Sequence, residues 1–260
     1  MSNRSDTDIT RTAYYDRIAR QWHRITGHSG GAFKRYVLND VLIEAIGGVE
    51  GVAILELGAG NGYFLPLVMR RYSGQRSARI VISDFSSALL TIAQSELRVV
   101  GAEYLQLDVR ESFPFANGSF DLLLATMLFN ELSDGELRRA LAECVRVLRP
   151  GGRLLATVTH PAFVANLAKR GELRDLGRGL AALPGAEGLP LPVARRSVAG
   201  YISALHAAGF SAQCGDVRAD DWVRHEKPGL RHAGDVPLAL VLECERPQPP
   251  ITSTDAPLAE

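Results

Sequence analysis

Residues 52–64 read Val-Ala-Ile-Leu-Glu-Leu-Gly-Ala-Gly-Asn-Gly-Tyr-Phe. The run from Val52 to Leu57 is mostly apolar and of strand length, and glycines bound it, so it reads as a strand buried on both faces. Gly58, Gly60 and Gly62 follow, and a second apolar stretch opens at Phe64. Glycines in this place let the backbone approach a ligand closely, and free N–H groups at the next helix start face whatever sits above the strand. A strand that turns through glycines into a helix is the first unit of a doubly wound α/β sheet.

Outward from this unit, strand-length apolar runs alternate with segments of helical period. The expected strands are 52–57, 80–83, 103–106, 120–125, 153–159, 212–217 and 238–244, and the expected helices 14–24, 32–46, 64–72, 86–97, 134–147 and 197–208. Ser133 with Glu136 three residues on forms a capping-box pattern, Pro150-Gly151-Gly152 stops that helix, and Gly209 ends another. Residues 171–192 are dense in Gly and Pro and read as a loop or partly helical flap. The expected organisation is one domain over 11–246, with a helical cap at 11–46 and a flap insertion at 163–197. Polar residues 1–10 and the Pro/Ser/Thr-rich 247–260 read as flexible tails.

Composition narrows the function classes. The 260 residues are 46% apolar, enough for one substantial core, and 29 basic against 29 acidic side chains leave no net field for nucleic acid or an anionic membrane. Arg195-Arg196 and Arg224 with Lys227 are the short basic pairs. No apolar run approaches the roughly 20 residues of a membrane span, and the N-terminus lacks the pattern of a secretory signal. Cys144, Cys214 and Cys244 have no paired spacing, and no metal site is expected. A cytoplasmic protein acting on a small molecule is the expectation.

The glycine spacing weakens a dinucleotide reading, because the third glycine of G-x-G-x-x-G falls on Tyr63. Asp84, at the end of the second strand, stands where a carboxylate accepts both hydroxyls of a ribose. Asp108, after the third, is placed to accept the exocyclic amine of an adenine. Glycines also make turns and acids after strands also cap helices, but their recurrence at successive strand ends marks the edge where open parallel sheets bind ligands.

Together with YYDRIARQW, VISDFS, YLQLDV, SFDLLLATMLFNEL, VLRPGGRLLATV and the late AGF, the glycine segment makes residues 14–247 resemble the class I S-adenosylmethionine-dependent methyltransferases. The resemblance implies a Rossmann-like, mostly parallel seven-stranded sheet whose last strand is antiparallel. It implies S-adenosylmethionine as cofactor and S-adenosylhomocysteine as product. Glu56, Gly58, Ala59, Gly60 and Gly62 would lie under the methionine part, Asp84 would hold the ribose, Phe85 would flank the adenine, and Asp108 with Val109 would read its edge. Ala125, Thr126 and Met127 would face cofactor and acceptor, and Tyr14, Tyr15 and Trp22 would close over the cofactor unless they are ordinary aromatic core. Asn130 and Glu131 stand where many relatives carry a His pair, which departs from the family pattern.

Methyl transfer from a sulfonium is an in-line displacement, in which the protein mainly orients the acceptor and excludes water. His160, directly after the fifth strand, is the candidate general base and acceptor contact; Asn130, Arg195 and Arg196 are further candidate acceptor contacts. A cofactor-binding regulatory protein without turnover and a nicotinamide-dependent oxidoreductase are the competing readings.

Overall fold

The computed structural model describes residues 6–177, 179–184, 188–226 and 236–249. Among the described residues, ten strands and nine α-helices run in the order α1 (Asp6–Thr26), α2 (Gly31–Phe33), α3 (Asn39–Ile46), β1 (Ala53–Leu57), α4 (Phe64–Arg71), β2 (Arg79–Asp84), α5 (Ser87–Glu96), β3 (Glu103–Gln106), β4 (Phe120–Thr126), α6 (Asp134–Val147), β5 (Leu148–Thr159), α7 (Pro161–Lys169), β6 (Arg174–Gly177), β7 (Leu180–Pro184), β8 (Pro190–Ala194), α8 (Val198–Ala208), β9 (Ser211–Val217), α9 (Asp221–Glu226) and β10 (Ala239–Glu245). Among these residues no helix is long and apolar enough to cross a membrane.

Seven strands form one sheet in the order β3-β2-β1-β4-β5-β10-β9. β1 pairs in parallel with both β2 and β4, whereas β10 is inserted between β5 and β9 and runs antiparallel to both. The chain therefore reverses its winding between β1 and β4, and the crevice beyond the carboxyl ends of those two strands is where such sheets bind ligands. Alternation along β1 sends Ile54 into the core shared with Leu42, Phe64 and Val68, and Leu55 and Leu57 into the core shared with Leu141 and Tyr201. Glu56 has the parity of Ile54 and lies on the α3/α4 side.

Local chemistry sets several boundaries as expected. Ser133 and Glu136 form the capping box of α6, with the Ser133 N–H donating to Glu136 Oε2 at 2.7 Å. α8 ends at Gly209 in the left-handed region, φ 103°. Four features differ from the sequence expectation. α1 begins at Asp6, taking in residues read as a polar tail. The helix expected over 32–46 is broken by a π-helical turn at Lys34–Leu38. The segment after β5 opens with α7 and then forms a separate antiparallel sheet, β6-β7-β8, not a loop or helical flap. Its interior positions, Ala181 and Val193, pack on Val164 of α7. Lastly, β5 starts at Leu148, before the expected glycine turn. Residues 1–5, 227–235 (with Lys227 and His232) and 250–260 fall outside the described residues, and so do 178 and 185–187 of the flap.

Candidate functional site

The turn after β1 is shaped for close approach. Gly58, Gly60 and Gly62 have φ of 64°, 61° and 75°, the left-handed region that an L side chain occupies only at a cost. The Ala59 N–H donates to Ser83 O at 2.9 Å, and the Gly60 N–H to Asp84 Oδ2 at 2.8 Å, so the loop is tied to the end of β2. Asp84 also accepts from the Ser86 N–H through Oδ1 at 2.9 Å. Burial pushes its carboxyl up to about 6 against these backbone hydrogen bonds, which favour the ionised form. Asp84 thus fixes the loop while standing at the strand end expected for a ribose acid.

The chain after β3 is more constrained than the sequence suggested. Arg110 grips Asp108 with Nε at 2.8 Å from Oδ1 and Nη2 at 2.6 Å from Oδ2. Val109 is buried in the core on the α6 side, as is Ala125. Phe85 is half-buried and meets Tyr15 edge to face, ring centroids 5.6 Å apart.

The N-terminal helix closes this side. Asp16 accepts from Ser86 Oγ at 2.6 Å and from the Ala88 N–H at 3.2 Å, docking α1 on the start of α5. Asn61 Nδ2 donates to Gly27 O and to His23 Nδ1, both at 2.9 Å, so the His23 ring proton sits on Nε2 and faces Glu96 at 2.9 Å. Tyr15 and Trp22 pack edge to face, and the Trp22 Nε1 lies 3.4 Å from where a Cβ on Gly60 would be. The flap meets α1 here, with Tyr14 Oη donating to Pro190 O at 3.0 Å and Leu189 packed among Tyr15 and Ile18.

Beyond β4, Met127 takes φ 58°, rare for a residue with a side chain, and its N–H donates to Thr157 O at 2.9 Å. This turn aims Leu128 at the glycine loop: a Cβ on Gly58 would come 2.9 Å from Leu128 Cδ1. The 3-10 turn Phe129–Glu131 follows. Tyr15 Oη donates to Glu131 Oε1 at 2.7 Å; burial and that carboxylate hold the tyrosine protonated, a fixed donor. Asn130 is buried, with no partner for Oδ1 among the described residues.

Two candidate acceptor contacts have other work. Arg196 is 6% exposed; its Nη2 donates to Leu132 O at 2.9 Å and to Asp134 Oδ1 at 2.7 Å, and the guanidinium lies 4.7 Å from the Tyr201 ring centroid. It clamps the turn after β4 onto α8. Arg195 is exposed at the end of the flap. His160, expected as a base, is the N-cap of α7. Its Nδ1 accepts from the Ala162 N–H at 3.1 Å, so the ring proton sits on Nε2, 3.1 Å from Asp216 Oδ1. Both ring nitrogens are committed, and none is left to take a proton from an acceptor. His160→Ala is expected to cost about 1 kcal/mol of stability in urea unfolding and to leave cofactor affinity unchanged. Unaltered stability would show the cap to be idle.

Comparison with known proteins agrees with this geometry. Residues 54–152 match a family described as a methyltransferase domain. Over this stretch, which runs from β1 through β4 into β5, the chain is similar to methyltransferase domains. Among curated relatives, it is 38% identical over 116 residues to malonyl-[acyl-carrier protein] O-methyltransferase 1 of Coxiella burnetii, covering 45% of this chain and 36% of that protein. It is 28% identical over 170 residues to the ubiquinone/menaquinone biosynthesis C-methyltransferase of Klebsiella pneumoniae, covering 59% of this chain and 63% of that one. The chain thus spans less than two thirds of these relatives' own lengths. In fold it resembles an S-adenosylmethionine-dependent methyltransferase from Mesorhizobium loti, TM-score 0.63 at 19% identity, covering 85% of this chain and 100% of that one. It also resembles the [4+2]-cyclase SpnF, TM-score 0.62 at 18% identity, covering 92% and 96%.

The residues of this crevice fit S-adenosylmethionine, the cofactor that the resemblance implies. Glu56 is 2% exposed, and its Oε2 has no hydrogen-bond partner among the described residues. A buried carboxylate without a partner is costly unless a ligand satisfies it. Burial pushes its carboxyl up to about 8, partly opposed by the positive charge of Lys34. Sequence reading passed over Lys34, because nothing in the chain's periodicity reveals the π-helical turn that carries it, and met Glu131 only as a departure from the family's His pair, its partner Tyr15 lying 116 residues away.

Proposed function

We propose that the protein transfers a methyl group from S-adenosylmethionine to a small-molecule acceptor, as a cytoplasmic enzyme. The observation that carries this is the buried Glu56 carboxyl, whose Oε2 has no partner among the described residues, beside the glycine turn at the β1/β4 reversal. The cofactor supplies an electrophilic methyl on a sulfonium. Gly58, Ala59, Gly60 and Gly62 admit its methionine part to the backbone, with Glu56 facing the amino group. Asp84 accepts from the ribose while keeping its hold on Gly60. Phe85 flanks the adenine, with the chain at Asp108 and Val109 along its edge. Tyr14, Tyr15 and Trp22, with the flap against them, exclude water.

Thr126, Met127 and the buried Asn130 amide face the acceptor, which they orient for in-line attack; such orientation can lower a barrier by roughly 7–11 kcal/mol. No residue is assigned as base, since the His160 nitrogens are occupied. The two curated relatives are named for O- and C-methylation, so the acceptor atom is not carried over.

One specific observation favours a second reading. The similarity in fold to a [4+2]-cyclase supports a protein that holds the cofactor without transferring its methyl group. Calorimetric titration with S-adenosylhomocysteine, for wild type and Asp84→Asn, tests the cofactor site. We expect micromolar binding, weakened about tenfold in the variant, the scale of losing a hydrogen bond to a charged group, and no binding of a reduced nicotinamide cofactor. Absence of binding to wild type would overturn the proposal. Tight binding without a methylated product from any acceptor class would favour the second reading.

A further inference from the structure

Lys34 opens the π-helical turn Lys34–Leu38, a local widening of the helix that often marks a functional position. Gly30 makes room for it: a Cβ there would come 2.6 Å from the Tyr63 ring and 2.7 Å from Lys34 Cβ. The Lys34 ammonium lies 5.0 Å from the Tyr63 ring centroid and 6.0 Å from that of Trp22. Trp22 in turn lies on Gly60, and Tyr63 directly follows Gly62, so the ammonium stands between the two rings that flank the glycine turn. Its electrostatic partners are Glu56, Glu131 and Asp84, and burial pushes it down to about 8 despite them.

Two of these carboxylates are already engaged: Asp84 by the N–H groups of Gly60 and Ser86, and Glu131 by the Tyr15 hydroxyl. Lys34 and Glu56 are different. Each feels the other's charge, yet among the described residues neither makes an ion pair or a side-chain hydrogen bond. Lys34 is half-buried and Glu56 buried, and an ammonium and a carboxyl held near one another without pairing can each take a partner of opposite charge, Glu56 giving up its proton as it does so. An α-amino acid zwitterion carries the complementary pair on adjacent atoms.

We propose that Lys34 binds the α-carboxylate of the cofactor's amino acid portion while Glu56 takes its α-ammonium, so that the site selects ligands carrying an intact amino acid. This rests on the cofactor reading above. Lys34 acts as a point charge here, and its pairing with a carboxylate is the stronger, charge-assisted kind of hydrogen bond. Asp84 and Glu131 stay with their present partners.

The test is calorimetric and needs no turnover. Wild type, Lys34→Met and Lys34→Arg are titrated with S-adenosylhomocysteine and with its decarboxylated analogue, which keeps the amine and lacks the carboxylate. Wild type should prefer S-adenosylhomocysteine by about tenfold or more. Lys34→Met should lose that preference while binding the decarboxylated analogue as wild type does, and Lys34→Arg should restore most of it. Equal losses for both ligands in Lys34→Met would make Lys34 a packing residue and overturn the proposal, as would an unchanged preference. Equal affinity of wild type for the two ligands would overturn it without any variant, so it stays falsifiable if Lys34→Met does not fold. No binding of either ligand to wild type would instead remove the cofactor reading itself.

Discussion

Glu56→Gln is expected to stabilise the ligand-free protein near pH 8 and to weaken S-adenosylhomocysteine binding by about tenfold or more. Burial raises the Glu56 carboxyl from 4.5 to about 8, the Lys34 charge pulling it down and Asp84 pushing it up. Between those two values the folded protein keeps a proton that the unfolded chain has released. The associated stability is therefore fully present below pH 4.5 and is lost as the pH rises through about 8. Glutamine has no such proton to lose, so the gain in melting temperature over wild type should widen across that window. Asp84, raised from 3.8 to about 6, adds a slope of the same sign at lower pH. Lys34, lowered from 10.5 to about 8, adds one of opposite sign above pH 8. Both are common to variant and wild type and largely cancel in the difference. A difference in melting temperature that is flat with pH would show that Glu56 is not held in its neutral form.

Gly62→Ala is expected to be the most damaging single methyl in the site, costing about 2–5 kcal/mol in urea unfolding. A left-handed conformation costs a residue with Cβ roughly 1–2 kcal/mol, and forcing an extra carbon into a packed interior about 1–3 kcal/mol. Both apply, because φ is 75° and the new Cβ would lie 2.6 Å from Ala93 Cβ and 3.2 Å from Ala93 Cα, in the body of α5. Gly58→Ala is the control: its Cβ meets the tip of Leu128 at 2.9 Å, an atom that can swing away. Its cost should be confined to the backbone term. A loss below about 1 kcal/mol for Gly62→Ala would mean that the loop and α5 separate easily.

The seven-stranded frame was legible because its signals are local. Short apolar runs marked the strands, Ser133 with Glu136 wrote the start of α6, and glycines marked the turn after β1. What escaped depends on partners distant in sequence. Arg196 and His160 looked available for an acceptor until Asp134 and Asp216 were found beside them, 62 and 56 residues away. Asp108 looked free to read an adenine, although Arg110 two residues on takes both its oxygens. The β6-β7-β8 sheet was missed because prolines and glycines interrupt the alternation that announces a strand; Pro190 and Pro192 both lie within β8.

Among the described residues that small sheet shares no strand pairing with the large one, and all of it lies in a single stretch between β5 and α8. It meets the rest of the fold through Ala181 and Val193 at α7, through Leu189 and the Pro190 carbonyl at α1, and through β8 at the 3-10 turn Phe129–Glu131. A unit attached in this way can be lengthened, shortened or exchanged in descent while every backbone hydrogen bond of the cofactor crevice stays in place. A change in this one contiguous segment of the gene can therefore reshape the rim beside α1 without re-pairing any strand of the large sheet.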